Sequence, residues 1–167
     1  ENSNNSGQKN LRFYVDYLIP LPPETVAADI DPWPGGLAQM YPYAEDIVTE
    51  ILQGIVDEPA GPCSSQVLSE PDCCGLFVEE SKTAAKYDVA ASLFAGVDQL
   101  TNIQQVEDMV GDERTLILFN KQFQRPADFG MFGNKGDESN KLVFDRFSHG
   151  FAFQEFACRG EDVKLTF

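Results

Sequence analysis

The chain has 167 residues, 43% of them hydrophobic, and a formal net charge of -15. That is the size of one domain with enough apolar residues to bury a core, so wholesale disorder is excluded. No apolar run approaches the roughly 20 residues of a transmembrane helix, and such acidity argues against nucleic acid, which needs a basic footprint.

The charge is unevenly placed. Between Phe13 and Ser81 there is no Lys or Arg, against thirteen Asp and Glu residues. One reading is a solvated acidic surface that keeps the protein soluble. The other is an acidic face that docks on a basic partner.

Residues 1–10 are polar and rich in Asn and Ser, and are expected to be a disordered tail before a single domain over 11–167. Residues 11–19 (LRFYVDYLI) predict a first strand, closed by Pro20. The proline-rich stretch 20–36 predicts an irregular connection. A helix is expected over 40–56, with apolar residues at Met40, Tyr43, Ala44, Ile47, Val48, Ile51, Leu52, Ile55 and Val56 and with Pro42 in its first turn. Ile47, Ile51 and Ile55 are expected to carry its core packing. Glu45, Asp46 and Glu50 fall on the other face without a cation to pair with.

Residues 57–71 read as a loop and 74–78 as a short strand. A buried strand is predicted over 87–94. A helix follows over 98–110, with Leu100, Ile103, Val106 and Val110 inward and Gly111 as its stop. Thr115–Phe119 (TLILF) completes a strand–helix–strand unit, which implies a parallel pair. Segments 151–158 and 163–167 predict a C-terminal hairpin around 159–162. The expected fold is α/β: a small, partly parallel sheet flanked by helices, with that hairpin at the end.

Nine of the thirteen Phe residues lie between Phe119 and Phe156. Segment 123–140 combines such aromatics with Pro126, Gly130, Gly133 and Gly136, has no regular period, and gives little reason to be core. Its Phe129, Met131 and Phe132 are candidates to pack on a partner or on the domain's own sheet.

Catalytic patterns do not assemble. Residues 130–139 (GMFGNKGDES) resemble a phosphate loop, but Lys135 is followed by Gly136 rather than by Ser or Thr. His149 is the single histidine and has no marked nucleophile. Cys63, Cys73, Cys74 and Cys158 lack metal-knuckle spacing. Cys63 and Cys73 could form a disulfide; the other reading is four reduced thiols. Neither cofactor nor metal is expected.

Four segments together resemble a known family: LRFYVDYLIP at 11–20, DIDPWPGGLAQMYPYAEDIVTEIL at 29–52, TLILFNKQFQ at 115–124 and GFAFQEFACRGEDVKLTF at 150–167. In this order they are similar to the DUF1995 domain of oxygenic phototrophs, over 62 of the chain's 167 residues. The resemblance implies an α/β fold and a chloroplast location on the stromal side of the thylakoid membrane, after removal of a transit peptide. One family member assists photosystem II assembly, and another copy is appended to a plastid adenylate kinase. No catalytic residues are carried over. Two departures stand out: Lys121-Gln122 where relatives tend to have Pro-Gln, and no terminal segment around a Pro–Trp motif, so the domain is expected to lack its usual C-terminal segment.

The resemblance and the charge lead to one expectation. The chain is a non-catalytic stromal protein that binds a photosystem as accessory subunit or assembly factor. Photosystem I is favoured for its basic stromal ridge, with photosystem II as the other choice. Glu45, Asp46, Glu50, Phe129, Met131 and Phe132 are the expected contacts, and no small-molecule substrate or nucleic acid is expected. The alternative is a plastid nucleotide-handling enzyme, or the regulatory domain of one.

Overall fold

The computed structural model describes residues 11–21, 33–129 and 140–152. Its elements run β1 (Arg12–Asp16), α1 (Gly36–Ile55), β2 (Ser64–Ser69), β3 (Cys74–Glu79), β4 (Val89–Leu93), α2 (Leu100–Val110), β5 (Thr115–Phe119) and β6 (Ser148–Ala152). The six strands form one mixed sheet in the order β2-β3-β4-β5-β1-β6. The pairs β4–β5, β5–β1 and β1–β6 are parallel, and β2–β3 and β3–β4 are antiparallel. The α/β class is as the sequence implies, and β5 has the predicted bounds.

Alternation along the strands divides the core between two faces. Ile117 and Phe119 of β5 join Ala91 and Leu93 of β4 and Phe77 of β3 under α1. Leu116 and Leu118 point the other way and join Tyr14, Leu142, Val143 and Phe147 under α2. Strands buried on both faces read as continuous apolar runs, which is why TLILF and VAASL carry no polar alternation.

Helix α1 begins four residues before its predicted start, so Pro42 lies in its second turn, on the exposed side. There the missing N–H leaves the Ala38 carbonyl to solvent. Its inward row also differs from the predicted one. Ala44, Val48 and Leu52 are fully buried, whereas Ile55 is 53% exposed. The nine apolar positions span an arc wider than the sheet can cover, and the helix turns Ala44 inward, where a small side chain permits close approach. That approach is visible at Gly75 of β3, where any Cβ would overlap the Tyr41 hydroxyl. Helix α2 ends as expected, at Gly111 with φ +64.

Three further expectations are corrected. The stretch read as a loop contains β2, an edge strand whose residues 64–67 are exposed on both faces, so it has no apolar alternation to read. Phe123 is core, at 1% exposure, because the chain leaving β5 folds back over the α2 face. The last described strand is Ser148–Ala152, ahead of the strand predicted from 151, and it pairs in parallel with β1. The rest of the predicted hairpin, the N-terminal tail, Met131, Phe132, Lys135 and Cys158 lie outside the described residues.

Candidate functional site

Open α/β sheets bind ligands beyond the carboxyl ends of parallel strands, at the point where successive connections leave for opposite faces. Here that point lies between β1 and β5. The helix that follows β1 packs on one face, and the segment that follows β5 packs on the other. The chain fills this position with its own side chains. Asn120, just past β5, accepts a hydrogen bond from Tyr17 N–H at 2.7 Å and donates to Tyr17 C=O at 3.0 Å. Its own N–H reaches the Val15 carbonyl at 2.9 Å. Asn120 holds φ +45 to do so, and Phe94 at the end of β4 holds φ +55. Such left-handed conformations disfavour non-glycine residues and persist where surroundings fix them.

Beside this plug lies a buried ion pair. Lys121 Nζ is 3.2 Å from Asp16 Oδ2, and the two side chains are 2% and 9% exposed. The ammonium also sits 4.6 Å from the Tyr14 ring centroid. The Tyr14 hydroxyl donates to the Val143 carbonyl, and burial, aided by the Asp16 charge, raises its pKa. Arg12, Tyr14 and Asp16 thus form a polar row on one face of a strand paired on both sides.

The other end of that row is a second charge network. Arg12 Nε meets Glu107 Oε2 at 2.6 Å, and Arg146 Nη1 meets Glu107 Oε1 at 2.6 Å. Arg12 also donates to the Gly111 and Arg114 carbonyls, and Arg114 donates to the Val110 and Met109 carbonyls. Two arginines therefore cap the carboxyl end of α2, which has no basic residue in its own last turn. An open groove of about 360 Å³ lined by Gln104, Lys141, Leu142 and Arg146 adjoins this network. Arg146 is already bound to Glu107 and Asp112, which leaves Lys141 as the lining cation without an ion pair among the described residues.

The expected contact residues divide between two places. On α1, Asp46 and Glu50 are exposed and Glu45 is half-buried. None of the three takes part in an ion pair among the described residues. Tyr43, 43% exposed, adds an aromatic edge that packs on Trp33 with ring centroids 5.4 Å apart. Burial, with the Glu45 charge adding, pushes the Tyr41 hydroxyl up to about 12.

Phe129 is far from this face in the fold. It is half-buried on the α2 side, 5.0 Å from the Phe123 ring and 6.1 Å from Phe144. A 3-10 turn, Pro126–Phe129, presents it, and Asp128 holds that turn by accepting hydrogen bonds from Gln124 and Arg125 N–H. Those bonds lower the Asp128 pKa. Phe129 is therefore cover for the domain's own core, the second of the two roles expected for it.

His149 is exposed on β6, 5.2 Å from the Tyr14 ring. Cys63 and Cys73 are free thiols at opposite ends of β2, which overturns a disulfide between them: Ser64 pairs with Val78 while Ser69 pairs with Cys74. A six-residue strand separates them by far more than the roughly 4.4–6.8 Å between Cα atoms that a disulfide spans. Cys74 is buried, and its thiol pKa is raised, chiefly by burial. Among the described residues, no group of three or more His, Cys, Asp or Glu could hold a metal ion, and no helix is long and apolar enough to cross a membrane.

Sequence reasoning missed Arg12, Asp16, Glu107 and Lys121. The available signal was the charged, period-2 row Arg12–Tyr14–Asp16 inside a strand otherwise suited to burial on both sides. Comparison with family models, with curated proteins and with solved structures finds no match.

Proposed function

We propose that the chain is a non-catalytic protein-binding domain that docks through the acidic face of α1 onto a basic protein surface. The observation that carries this reading is the exposure of Asp46 and Glu50 beside Tyr43 on a helix without a single cation. An unpaired acidic face flanked by an aromatic has the composition of an interface in which charge sets approach and the ring supplies burial. The crevice between β1 and β5 supports the same reading, since Asn120 and the Asp16–Lys121 pair occupy the place a small substrate would take.

The resemblance to the DUF1995 domain directs the choice of partner. The reading is an accessory subunit or assembly factor at the stromal side of the thylakoid membrane, with photosystem I ahead of photosystem II because an acidic domain suits a basic stromal ridge. Cross-linking in isolated thylakoids followed by mass spectrometry tests it. Cross-links from α1 to Lys-rich stromal segments of photosystem subunits are the expected result. Cross-links that avoid α1, or none to either photosystem, would sink the proposal.

A further inference from the structure

Glu79 closes β3 on the face covered by α1. Register sets it beside Val89 of β4, and Cys63 falls opposite it because the preceding pair in the ladder is Ser64 with Val78. The residue is 1% exposed, and neither carboxylate oxygen has a hydrogen-bond partner. Buried polar groups are almost always satisfied, and a buried carboxylate without a partner strongly disfavours its charged form.

The surroundings add no compensating charge. Val56 and Val89, buried on the same face, bring no charge. Glu80 follows directly in the chain. Segment 57–60 runs alongside 80–82, with Ala60 N–H on the Glu80 carbonyl at 2.7 Å and Lys82 N–H on the Glu58 carbonyl at 2.9 Å, and so brings the exposed Asp57 and Glu58 to this corner. The side chain of Lys82 is exposed and makes no ion pair among the described residues. Helix α1 ends here without a basic residue in its last turn, so its negative pole is also uncompensated. Burial raises the Glu79 pKa, the nearby Cys63 thiol partly opposes this, and Glu80 adds to it. The Cys63 thiol is itself pushed up to about 11, by burial first and by Glu79 second.

We propose that Glu79 is a proton-held latch: neutral, it stays packed beneath the end of α1; ionised, it is driven toward water and loosens the β2–β3 edge together with that end of the helix. The sign follows from linkage. A carboxyl raised in the folded state keeps its proton where the unfolded chain, near 4.3, has lost it. Its contribution to stability is therefore full at low pH and falls as pH rises from about 4.3 to the folded value, beyond which it is flat.

Glu79→Gln keeps the shape and cannot ionise, so it stays neutral at every pH. In urea unfolding of the full chain between about pH 4 and pH 8, the Gln variant should gain in folding equilibrium constant over the wild type as pH rises, about tenfold for each unit by which the pKa is raised. Hydrogen exchange at residues 64–69 and 74–79, corrected for intrinsic rates, should accelerate with pH in the wild type and not in the variant. Carbon-13 NMR of the wild-type Glu79 carboxyl reads the titration directly, whatever the variant's folding. A midpoint above the ordinary carboxylate range supports the latch. A midpoint inside that range, or pH profiles that run parallel in the two proteins, overturns it.

Discussion

The ammonium of Lys121 lies 3.2 Å from the carboxylate of Asp16, and both side chains are buried. This pair joins the exit of β5 to the exit of β1, the two strands whose connections part to opposite faces. Removing one partner would leave the other charged and alone. Lys121→Met and Asp16→Leu should each lower stability by about 3–5 kcal/mol, whereas the double variant, apolar at both positions, should recover much of that loss. Urea unfolding of the two single variants and the double variant measures the coupling directly. Losses that simply add would show that the pair does not act as a unit.

A second prediction concerns which residues of α1 hold it to the sheet. Leu52 is fully buried and Ile55 is 53% exposed, so the two belong to different faces despite their shared hydrophobicity. Leu52→Ala should cost about 2–5 kcal/mol, as truncations in a packed core do. Ile55→Ala should fall within about 0.5 kcal/mol of the wild type, as surface substitutions do. Equal losses at both positions would mean that the helix is rotated from the orientation described.

The contrast between those two residues shows how far the sequence could be read. A period of 3.6 marks a helix, but nine apolar positions in seventeen residues cannot say which row faces the sheet. Ala44, the least conspicuous of them, decides it through close approach. Continuous apolar runs announced β4 and β5, and the strand–helix–strand spacing announced their parallel pairing. β2 was invisible because SSQVLS is an edge strand whose first four residues are exposed, with Leu68 its one apolar residue packed on the core. The charged residues of the interior were illegible for a different reason. Arg12, Glu107 and Arg146 meet across separations of 95 and 39 positions in the chain, and no local pattern links them. The acidity of Asp46 and Glu50 was legible, because exposed residues keep in the fold the character they have in the chain. Phe129 was legible only as an aromatic in need of a packing surface, since the Phe123 and Phe144 on which it packs are brought together by the fold-back after β5.

Gly75 offers a third test, at the point where α1 comes closest to β3. A Cβ there would overlap the Tyr41 hydroxyl and lie 3.1 Å from Tyr41 Cζ. Gly75→Ala should therefore cost about 1–3 kcal/mol, the usual penalty for overpacking. Tyr41→Phe in the same background removes the overlapping oxygen and should restore part of the loss. Thermal unfolding of the single and double variants checks this. A harmless Gly75→Ala would show that α1 can shift away from the sheet without loss.

The last prediction addresses the proposed docking face. Asp46 and Glu50 are four residues apart on α1, so their side chains are neighbours on one exposed surface. Neither is tied into an ion pair among the described residues, so reversing their charge should leave stability within about 0.5 kcal/mol of the wild type. Binding should respond differently. Exposed charges act over roughly 8 Å at physiological ionic strength, and they set association rate and salt dependence more than packing. Asp46→Lys with Glu50→Lys should weaken association with isolated thylakoid membranes by at least about tenfold at low salt. The same change should flatten the salt dependence, because added salt then has less attraction to screen. Tyr43→Ala, which leaves every charge in place, should instead weaken binding by a similar factor at all salt concentrations, since apolar burial is not screened. Cosedimentation across a salt series separates the two effects. If the double reversal binds as the wild type does at every salt concentration, α1 is not the contact surface.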